Sequence, residues 1–371
     1  MKILELTNYS AGVCGVWQRV KQESIELSKL GHNVEIFSSN LTKGSDEIAS
    51  QNDSIRNIKI IRLPTRKIGG EAFLNWKFKK KAINFNPDII IVHSYRHLHT
   101  TRALKVAKQT NSKIFLVTHA PFDRKDTRSF LSNLIVLFYD KIIGPNTLKK
   151  FNKIIAISKW ENTYLEKLGI KEDKISYIPN GIPEEFFSMT KQNEENKMLF
   201  LGRISPIKSL EILIEAISSI KDKKIKLEIV GPAEKEYLDK LKSQIKKLNL
   251  TKRVIFLDGI YNLKEKIKKI DSSKIFILPS KSEGMPQGLI EAMAREKIVL
   301  ASNNQGSREL IQENKTGFLF EVGNSKDLIE KINFILEKNN KDKVQKVGKN
   351  TKKSVERFRW SNIVKKIEEL F

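Results

Sequence analysis

Cysteine is almost missing: among 371 residues only Cys14 occurs. One thiol excludes an internal disulfide framework and any cysteine-based zinc site, and it fits a reducing compartment. Long apolar runs are missing too. The longest, Leu134-Ile135-Val136-Leu137-Phe138-Tyr139, is far too short to span a bilayer. The opening MKILELTNYS has one lysine and a short apolar run, which is not a signal-peptide pattern. There is no Asp-x-Asp pair of the kind that holds a divalent ion, so no metal is expected. Negative charge is scarce: 43 Asp and Glu stand against 68 Lys and Arg, a net charge of +25. No zinc-finger spacing, RNP-like aromatic motif or basic zipper accompanies that excess, so specific nucleic-acid recognition is not expected. Lysine-rich stretches such as 240–253 and 264–270 read as solvated helix faces. The remaining use for the charge is attachment to an anionic membrane surface. Cytoplasmic residence, peripheral on the inner face of the cell membrane, is the expected location.

What is present is a globular composition, 40% hydrophobic and 30% charged, in a chain long enough for two cores. Short β-branched runs alternate with amphipathic stretches. Strands are expected at 3–6, 34–38, 58–62, 89–92, 114–118, 154–157 and 175–178, with helices at 16–30, 74–85, 100–108, 130–151 and 159–168. Residues 184–197 are polar and aperiodic and read as a linker. The alternation then restarts, with strands at 198–201, 227–230, 254–257, 275–278, 299–301 and 318–320. Helices fall at 210–220, 237–248, 263–270, 288–294, 308–311 and 328–336. Non-alternating strands separated by helices imply parallel sheets covered on both faces. The expected class is α/β, two Rossmann-like doubly wound domains facing across a cleft. Residues 1–183 form the first, with a C-terminal helix in 358–371 packing back on it, and 184–357 form the second. Ligands of such sheets bind beyond the strands' carboxyl ends.

Four stretches occupy those ends. PSKSEGMPQGLIEAMA (279–294) runs from a strand through Glu283, Gly284, Met285, Pro286 and Gln287 into a helix carrying Glu291. Such a helix start offers amide donors and partial positive charge to an anion, and the carboxylates can accept from vicinal hydroxyls. A plain strand–helix joint with two solvated glutamates is the alternative. GRISPIKS (202–209) places Arg203 and Lys208 beside another helix start, a phosphate clamp or simply two surface cations. NYSAGVCGV (8–16) makes a glycine turn with Gly12 and Gly15, lacking the third glycine of the dinucleotide fingerprint. Thr118-His119-Ala120-Pro121 puts a histidine at a strand end, where it can donate to a sugar hydroxyl or a developing charge. His32, in a helix-to-strand turn, reads as structural. Tyr95, Arg96 and His97, with His93 and His99, follow another strand and either line an acceptor site or form a polar loop.

GRISPIKS followed some 75 residues later by SEGMPQGLIEAMA resembles the C-terminal half of retaining nucleotide-sugar glycosyltransferases of family 4, which have the two-domain GT-B fold. The glycine turn, THAP, ISKW (157–160) and IPNGI (178–182) match that family's order. The resemblance implies catalytic roles for His119, Glu283, Arg203 and Lys208. Arg203 and Lys208 would neutralise the donor diphosphate, with Gly12 and Gly15 facing it. Glu283 would bind the sugar hydroxyls, the amides of 284–287 the sugar and phosphate, Glu291 the ribose, and His119 the transferred sugar. Tyr95, Arg96 and His97 are the expected acceptor contacts. The chain departs from the pattern at Met285-Pro286, beside the sugar, at Pro183, and at Arg295-Glu296-Lys297.

The implied activity moves a sugar from a UDP- or GDP-sugar, with no cofactor, to a sugar, lipid-linked or glycan acceptor hydroxyl. Anomeric configuration is retained, in surface polysaccharide, glycolipid or glycoprotein glycan assembly. A nucleotide-sugar epimerase on the same fold, or a non-enzymatic basic protein binding membrane or nucleic acid, are the alternatives.

Overall fold

The computed structural model describes residues 1–12, 14–122, 129–190 and 193–371. The chain divides into two units, Met1–Gly181 with Trp360–Phe371, and Ile182–Arg359. The first contains β1 (Lys2–Leu6), β2 (Asn33–Ser39), β3 (Asn52–Ile55), β4 (Ile58–Leu63), β5 (Thr65–Lys67), β6 (Leu74–Trp76), β7 (Ile89–His93), β8 (Lys113–Val117), β9 (Lys153–Ala156) and β10 (Ile175–Tyr177). Eight of these form one sheet in the order β10-β9-β8-β7-β1-β2-β4-β3. Its pairings are parallel except at the β3 edge. All five residues of β7 are buried, as a strand with helices on both faces requires. The chain leaves β1 toward β2 on one side and later adds β7 on the other. The switch point therefore lies between β1 and β7, where the glycine turn and the segment after His93 emerge.

The second unit contains β11 (Lys197–Leu201), β12 (Lys226–Val230), β13 (Val254–Leu257), β14 (Ile275–Leu278), β15 (Ile298–Ser302) and β16 (Phe318–Phe320). They form a wholly parallel sheet in the order β13-β12-β11-β14-β15-β16. Its switch point falls between β11 and β14, so GRISPIKS and PSKSEGMP leave adjacent strands on the same side of the sheet. The lysine-rich helices show why high charge is compatible with packing. In Lys235–Lys247 only Tyr237, Leu241 and Ile245 are buried, one four-residue stripe, and the lysines take the other face.

Several elements differ from the expectation. The stretch 74–85 is not one helix: Leu74 and Trp76 are buried and Asn75 is not, a two-residue alternation that makes β6 pair with β5, and the helix is only Lys79–Phe85. The stretch 130–151 breaks into Phe130–Phe138, a π turn Tyr139–Ile143 and Gly144–Leu148, where Gly144 leaves room for the Tyr95 ring. The supposed linker holds a helix, Glu185–Ser188, whose Phe186 and Phe187 are buried in the second core. Arg295 secures it, bonding the Phe186 carbonyl at 3.1 Å and the Met189 carbonyl at 2.8 Å while forking onto Asp271 at 2.8 Å twice. The antiparallel β3 and the helix Lys341–Val355 are additional. The helix Trp360–Glu368 buries Trp360, Ile363, Val364 and Ile367, and belongs to the first unit through His32–Glu368 at 3.1 Å and Phe115 stacked on Phe371. Among the described residues no helix is long and apolar enough to cross a membrane.

Candidate functional site

The switch point of the second unit gathers most of the expected donor residues. Lys208 Nζ lies 2.5 Å from Glu283 Oε1, and both side chains are largely enclosed. Ser280 donates to the same oxygen at 2.6 Å. The loop that carries Glu283 is braced from β15: Asn304 donates to the Ser280 carbonyl at 3.0 Å, and Ser302 Oγ bonds it as well. Met285 and Pro286 lead into the helix Gln287–Ala294, with Pro286 just before the first helical turn. No side chain caps this helix and its first turn carries no acidic residue, which keeps its positive end uncompensated. Buried polar atoms without hydrogen-bond partners cluster in the same stretches: Ser205 Oγ, Ser209 Oγ and Gln287 Nε2. Orphaned donors are costly unless a ligand or water completes them, so they mark where oxygens belong.

Glu291 sits one helical turn further on, buried, with Lys266 Nζ at 2.6 Å from Oε1 and 2.5 Å from Oε2. Arg203 differs from Lys208. Its side chain is 57% exposed and it meets Glu234 at 3.5 Å, a surface pair worth little.

In the first unit, Gly12 adopts φ 80°, and a Cβ there would run into the Lys43 backbone, to which Gly12 is bridged. Gly15 opens the helix Gly15–Lys29, which has no side-chain cap and no acidic first turn. His119 is half-buried at φ 60°, with Nε2 3.0 Å from His93 Nδ1. The loop around it is held by Glu161, wholly buried, which accepts from Thr118 Oγ1, from the Ala120 amide at 2.9 Å, and from the Ile157 and Ser158 amides at 2.8 and 3.0 Å.

The expected acceptor residues are placed differently. Tyr95 is 2% exposed and donates to Asp140 at 3.0 Å, so this side chain is packed inside the first unit. Arg96 forks onto Asp140 at 2.8 and 2.5 Å and bonds the Pro121 carbonyl at 3.1 Å. His97 is half-buried against Asn8 at 3.1 Å, and burial pulls its pKa down to about 4.

Lys266, Ser280, Asn304 and Glu161 escaped the sequence reading. Lys266 lies in a lysine-rich helix with no local feature to distinguish it. Ser280 was part of the quoted stretch, but only the fold shows its bond to Glu283. Glu161 had a usable signal, an acidic residue in the first turn after Ser158, where such a side chain satisfies helix-start amides.

Comparison with known proteins agrees with the geometry. The family described as Glycosyltransferase Family 4 matches residues 13–186, and Glycosyl transferases group 1 matches residues 181–354. An uncharacterized glycosyltransferase of Methanocaldococcus jannaschii is 26% identical over 360 residues, covering 92% of this chain and 90% of the relative. The lipopolysaccharide 1,2-N-acetylglucosaminetransferase of Salmonella typhimurium is 25% identical over 283 residues, 71% of this chain and 74% of that enzyme. Among solved structures, Anabaena HepE with UDP and glucose superposes with a TM-score of 0.76 at 20% identity, covering 100% of this chain and 98% of the other. Sucrose-phosphate synthase from Thermosynechococcus elongatus gives 0.77 at 18% identity, with 100% and 98% covered. With two consecutive doubly wound units, and a family match to each, the chain belongs to the family 4, group 1 glycosyltransferases, retaining enzymes of the GT-B fold that use nucleotide-sugar donors.

Proposed function

We propose that this enzyme transfers a sugar from a UDP-sugar to a hydroxyl of a membrane-proximal glycan or glycolipid acceptor. The observation that carries the donor half is the meeting of Lys208, Glu283 and the uncapped helix start at Gln287 on one switch point, with three orphaned buried donors beside them. UDP is favoured over GDP because Anabaena HepE, which shares the fold, has been solved with UDP and with UDP-glucose.

In this reading Lys208 and Arg203 neutralise the diphosphate, and the amides of Gly284 to Gln287 hold its oxygens and the sugar. Glu283, released from Lys208, accepts the sugar hydroxyls, and Glu291 accepts the ribose hydroxyls. The bond between the anomeric carbon and the diphosphate breaks with its electron pair going to the diphosphate oxygen. Charge grows there, and the two cations and the helix start lower its energy in the transition state more than in the ground state. The acceptor oxygen attacks from the face the diphosphate leaves, and its proton passes to a diphosphate oxygen. No enzymatic nucleophile is needed. In the first unit, the same reading assigns Gly12 and Gly15 to phosphate and His119 to the transferred sugar.

The membrane-proximal acceptor is supported by the helix Phe130–Phe138, where Phe130, Leu131, Leu134, Ile135, Leu137 and Phe138 are all exposed, on a chain of charge +25. The Salmonella relative acts on lipopolysaccharide by its name, and a Staphylococcus aureus relative, 28% identical over 60% of this chain, is named for capsular polysaccharide biosynthesis.

A thermal-shift screen of nucleoside diphosphates and their sugars tests the donor half. A cognate donor at 100 times its Kd stabilises the folded state by roughly 2.7 kcal/mol. UDP and one UDP-sugar are expected to raise the melting temperature, and Arg203→Ala with Lys208→Ala together to remove the shift. Transfer that survives this double substitution would overturn the assignment.

A further inference from the structure

The helix Phe130–Phe138 is apolar at every position but Ser132 and Asn133, and none of its residues is buried. The π turn that follows it, Tyr139–Ile143, leaves Ile142 and Ile143 exposed as well. A helix apolar all round belongs in a core or among lipid chains, and nine residues are too few to cross a bilayer. Beside it the first unit holds a cavity of about 490 Å³, within the range of about 300–1,000 Å³ usual for small-molecule sites. Its lining is largely apolar. The Phe122 ring stacks on Tyr164 with centroids 5.5 Å apart, Pro145 and Leu168 stand by them, and the exposed helix contributes Leu137. Its charge is positive. Lys141 and Lys167 line it with exposed side chains, and Lys167 Nζ lies 5.8 Å from the Tyr164 centroid. A Cβ on Gly169, which also lines it, would come within 4.0 Å of Lys149 Nζ. Among the described lining residues the one carboxylate is Asp140, and the Arg96 fork and the Tyr95 hydroxyl already hold it. The cavity also adjoins the candidate site. Phe122 stands three residues beyond His119 on the loop that leaves β8, a reach of at most about 11 Å. Arg96 ties that loop down, bonding the Pro121 carbonyl at 3.1 Å with its guanidinium 5.3 Å from the Phe122 centroid.

We propose that this cavity seats the hydrocarbon chain of a lipid-phosphate acceptor, whose anionic head meets Lys141 and Lys167. The inference rests on the membrane-proximal acceptor and the sugar contact of His119 proposed above. An apolar lining edged by cations matches a ligand with an apolar tail and a phosphate, and neither a free sugar nor a free phosphate uses both halves. The exposed helix supplies the way in, because a chain passing Leu137 stays among apolar groups from the bilayer to the cavity. Such a chain gains little by exchanging one apolar surrounding for another. Selection therefore falls to the cations, and the cavity sets where the head comes to rest. With the chain lodged against Phe122 and Tyr164, the head stands beside the loop that carries His119. A bulk phospholipid would satisfy the exposed helix equally well, but it has no need of a cavity joined to that loop.

The test is titration calorimetry of the full chain with decyl phosphate, below its micelle concentration and without vesicles. Decyl phosphate is expected to bind about tenfold more tightly than decanol, and inorganic phosphate not measurably. Leu168→Trp, which fills the cavity, is expected to weaken decyl phosphate about tenfold. Lys141→Glu with Lys167→Glu is expected to weaken it as much and to leave decanol unchanged. Both lysines are exposed, so this second variant carries the test if Leu168→Trp does not fold. No binding of decyl phosphate, or an affinity that the folded variants do not lower, would overturn the proposal. The glucosyl ester of decyl phosphate then separates an acceptor from bulk lipid. Its sugar is expected to shift the His119 signals of a 15N-histidine-labelled chain, identified by their loss in His119→Asn, and decyl phosphate alone is expected to leave them in place. A sugar that did not move them would make the cavity a membrane anchor and end the acceptor assignment. Failure of the underlying reading looks different: UDP would not shift the melting temperature, or anionic vesicles would not pellet the protein, while decyl phosphate binding and its loss in the variants would stand.

Discussion

A methyl group at position 306 would sit 2.5 Å from the Glu283 carbonyl oxygen and 3.0 Å from the Glu283 Cβ. Both neighbours belong to the loop that presents Glu283, so the loop must move. Gly306→Ala is expected to weaken UDP-sugar binding about tenfold, or roughly 1.4 kcal/mol, with a smaller change in melting temperature. Titration calorimetry with the cognate donor reads the first effect and a thermal scan the second. Removing a buried ion-pair partner is harsher. Arg295→Ala leaves Asp271 buried without its fork and frees the 186–189 carbonyls, so a loss of about 3–5 kcal/mol in urea unfolding is expected. Arg295-Glu296-Lys297 stood out in the sequence as a departure without a reason. The structure supplies one, since Arg295 holds Asp271 and Lys297 bonds Glu194 at 2.6 Å and the Asp271 carbonyl at 2.8 Å. Arg203, Lys208, Glu283 and Glu291 could be nominated because they lie in two short stretches of recognisable spacing, and the fold pairs Lys208 with Glu283. Lys266 and Gly306 act through space from other elements, and nothing in their neighbours announces it.

Strands with several consecutive β-branched residues were legible throughout, because burial on both faces leaves an unbroken apolar run. Elements that depend on a partner were not. β6 needed β5 beside it, and Glu185–Ser188 needed the Arg295 pocket to bury its two phenylalanines. The end of β7 and the helix Leu98–Thr110 concentrate a different property. Burial holds His93 down to about 4 and His99 well below its usual value, each without a compensating carboxylate strong enough to reverse the shift. The unfolded chain takes up protons at both as pH drops below about 6.5, whereas in the folded chain His93 does not until about 4 and His99 is likewise held well below its usual value. Stability from these residues is therefore complete above about 6.5 and is lost as pH falls toward 4, by about 3 kcal/mol for His93. Urea midpoints measured from pH 7 to 4 should fall, and His99→Gln should flatten the decline if it folds.

At the scale of the whole molecule, the proposed membrane-proximal reading has the charge excess and the exposed apolar helix acting together. The protein is expected to pellet with vesicles containing anionic lipid at low salt, to lose most of that binding near 0.5 M salt, where screening is strong, and not to pellet with neutral vesicles. Leu134→Asp with Phe138→Asp should weaken pelleting at low salt while leaving the melting temperature unchanged, since both side chains are exposed. Vesicle binding that ignored salt and this double substitution would remove the membrane reading. Fold class and the order of the two units were readable from composition and periodicity alone. The helix Phe130–Phe138 was misjudged as part of a longer amphipathic element, because periodicity cannot show that an apolar face has been left uncovered.

The helix Trp360–Glu368 has a consequence for synthesis. It completes the first unit but is translated only after the entire second unit, so the first unit leaves the ribosome with the seat of Trp360, Ile363, Val364 and Ile367 still vacant. The second unit, continuous in sequence, can close while its neighbour waits, and residues Trp360–Phe371 then act as the clasp that closes the first unit.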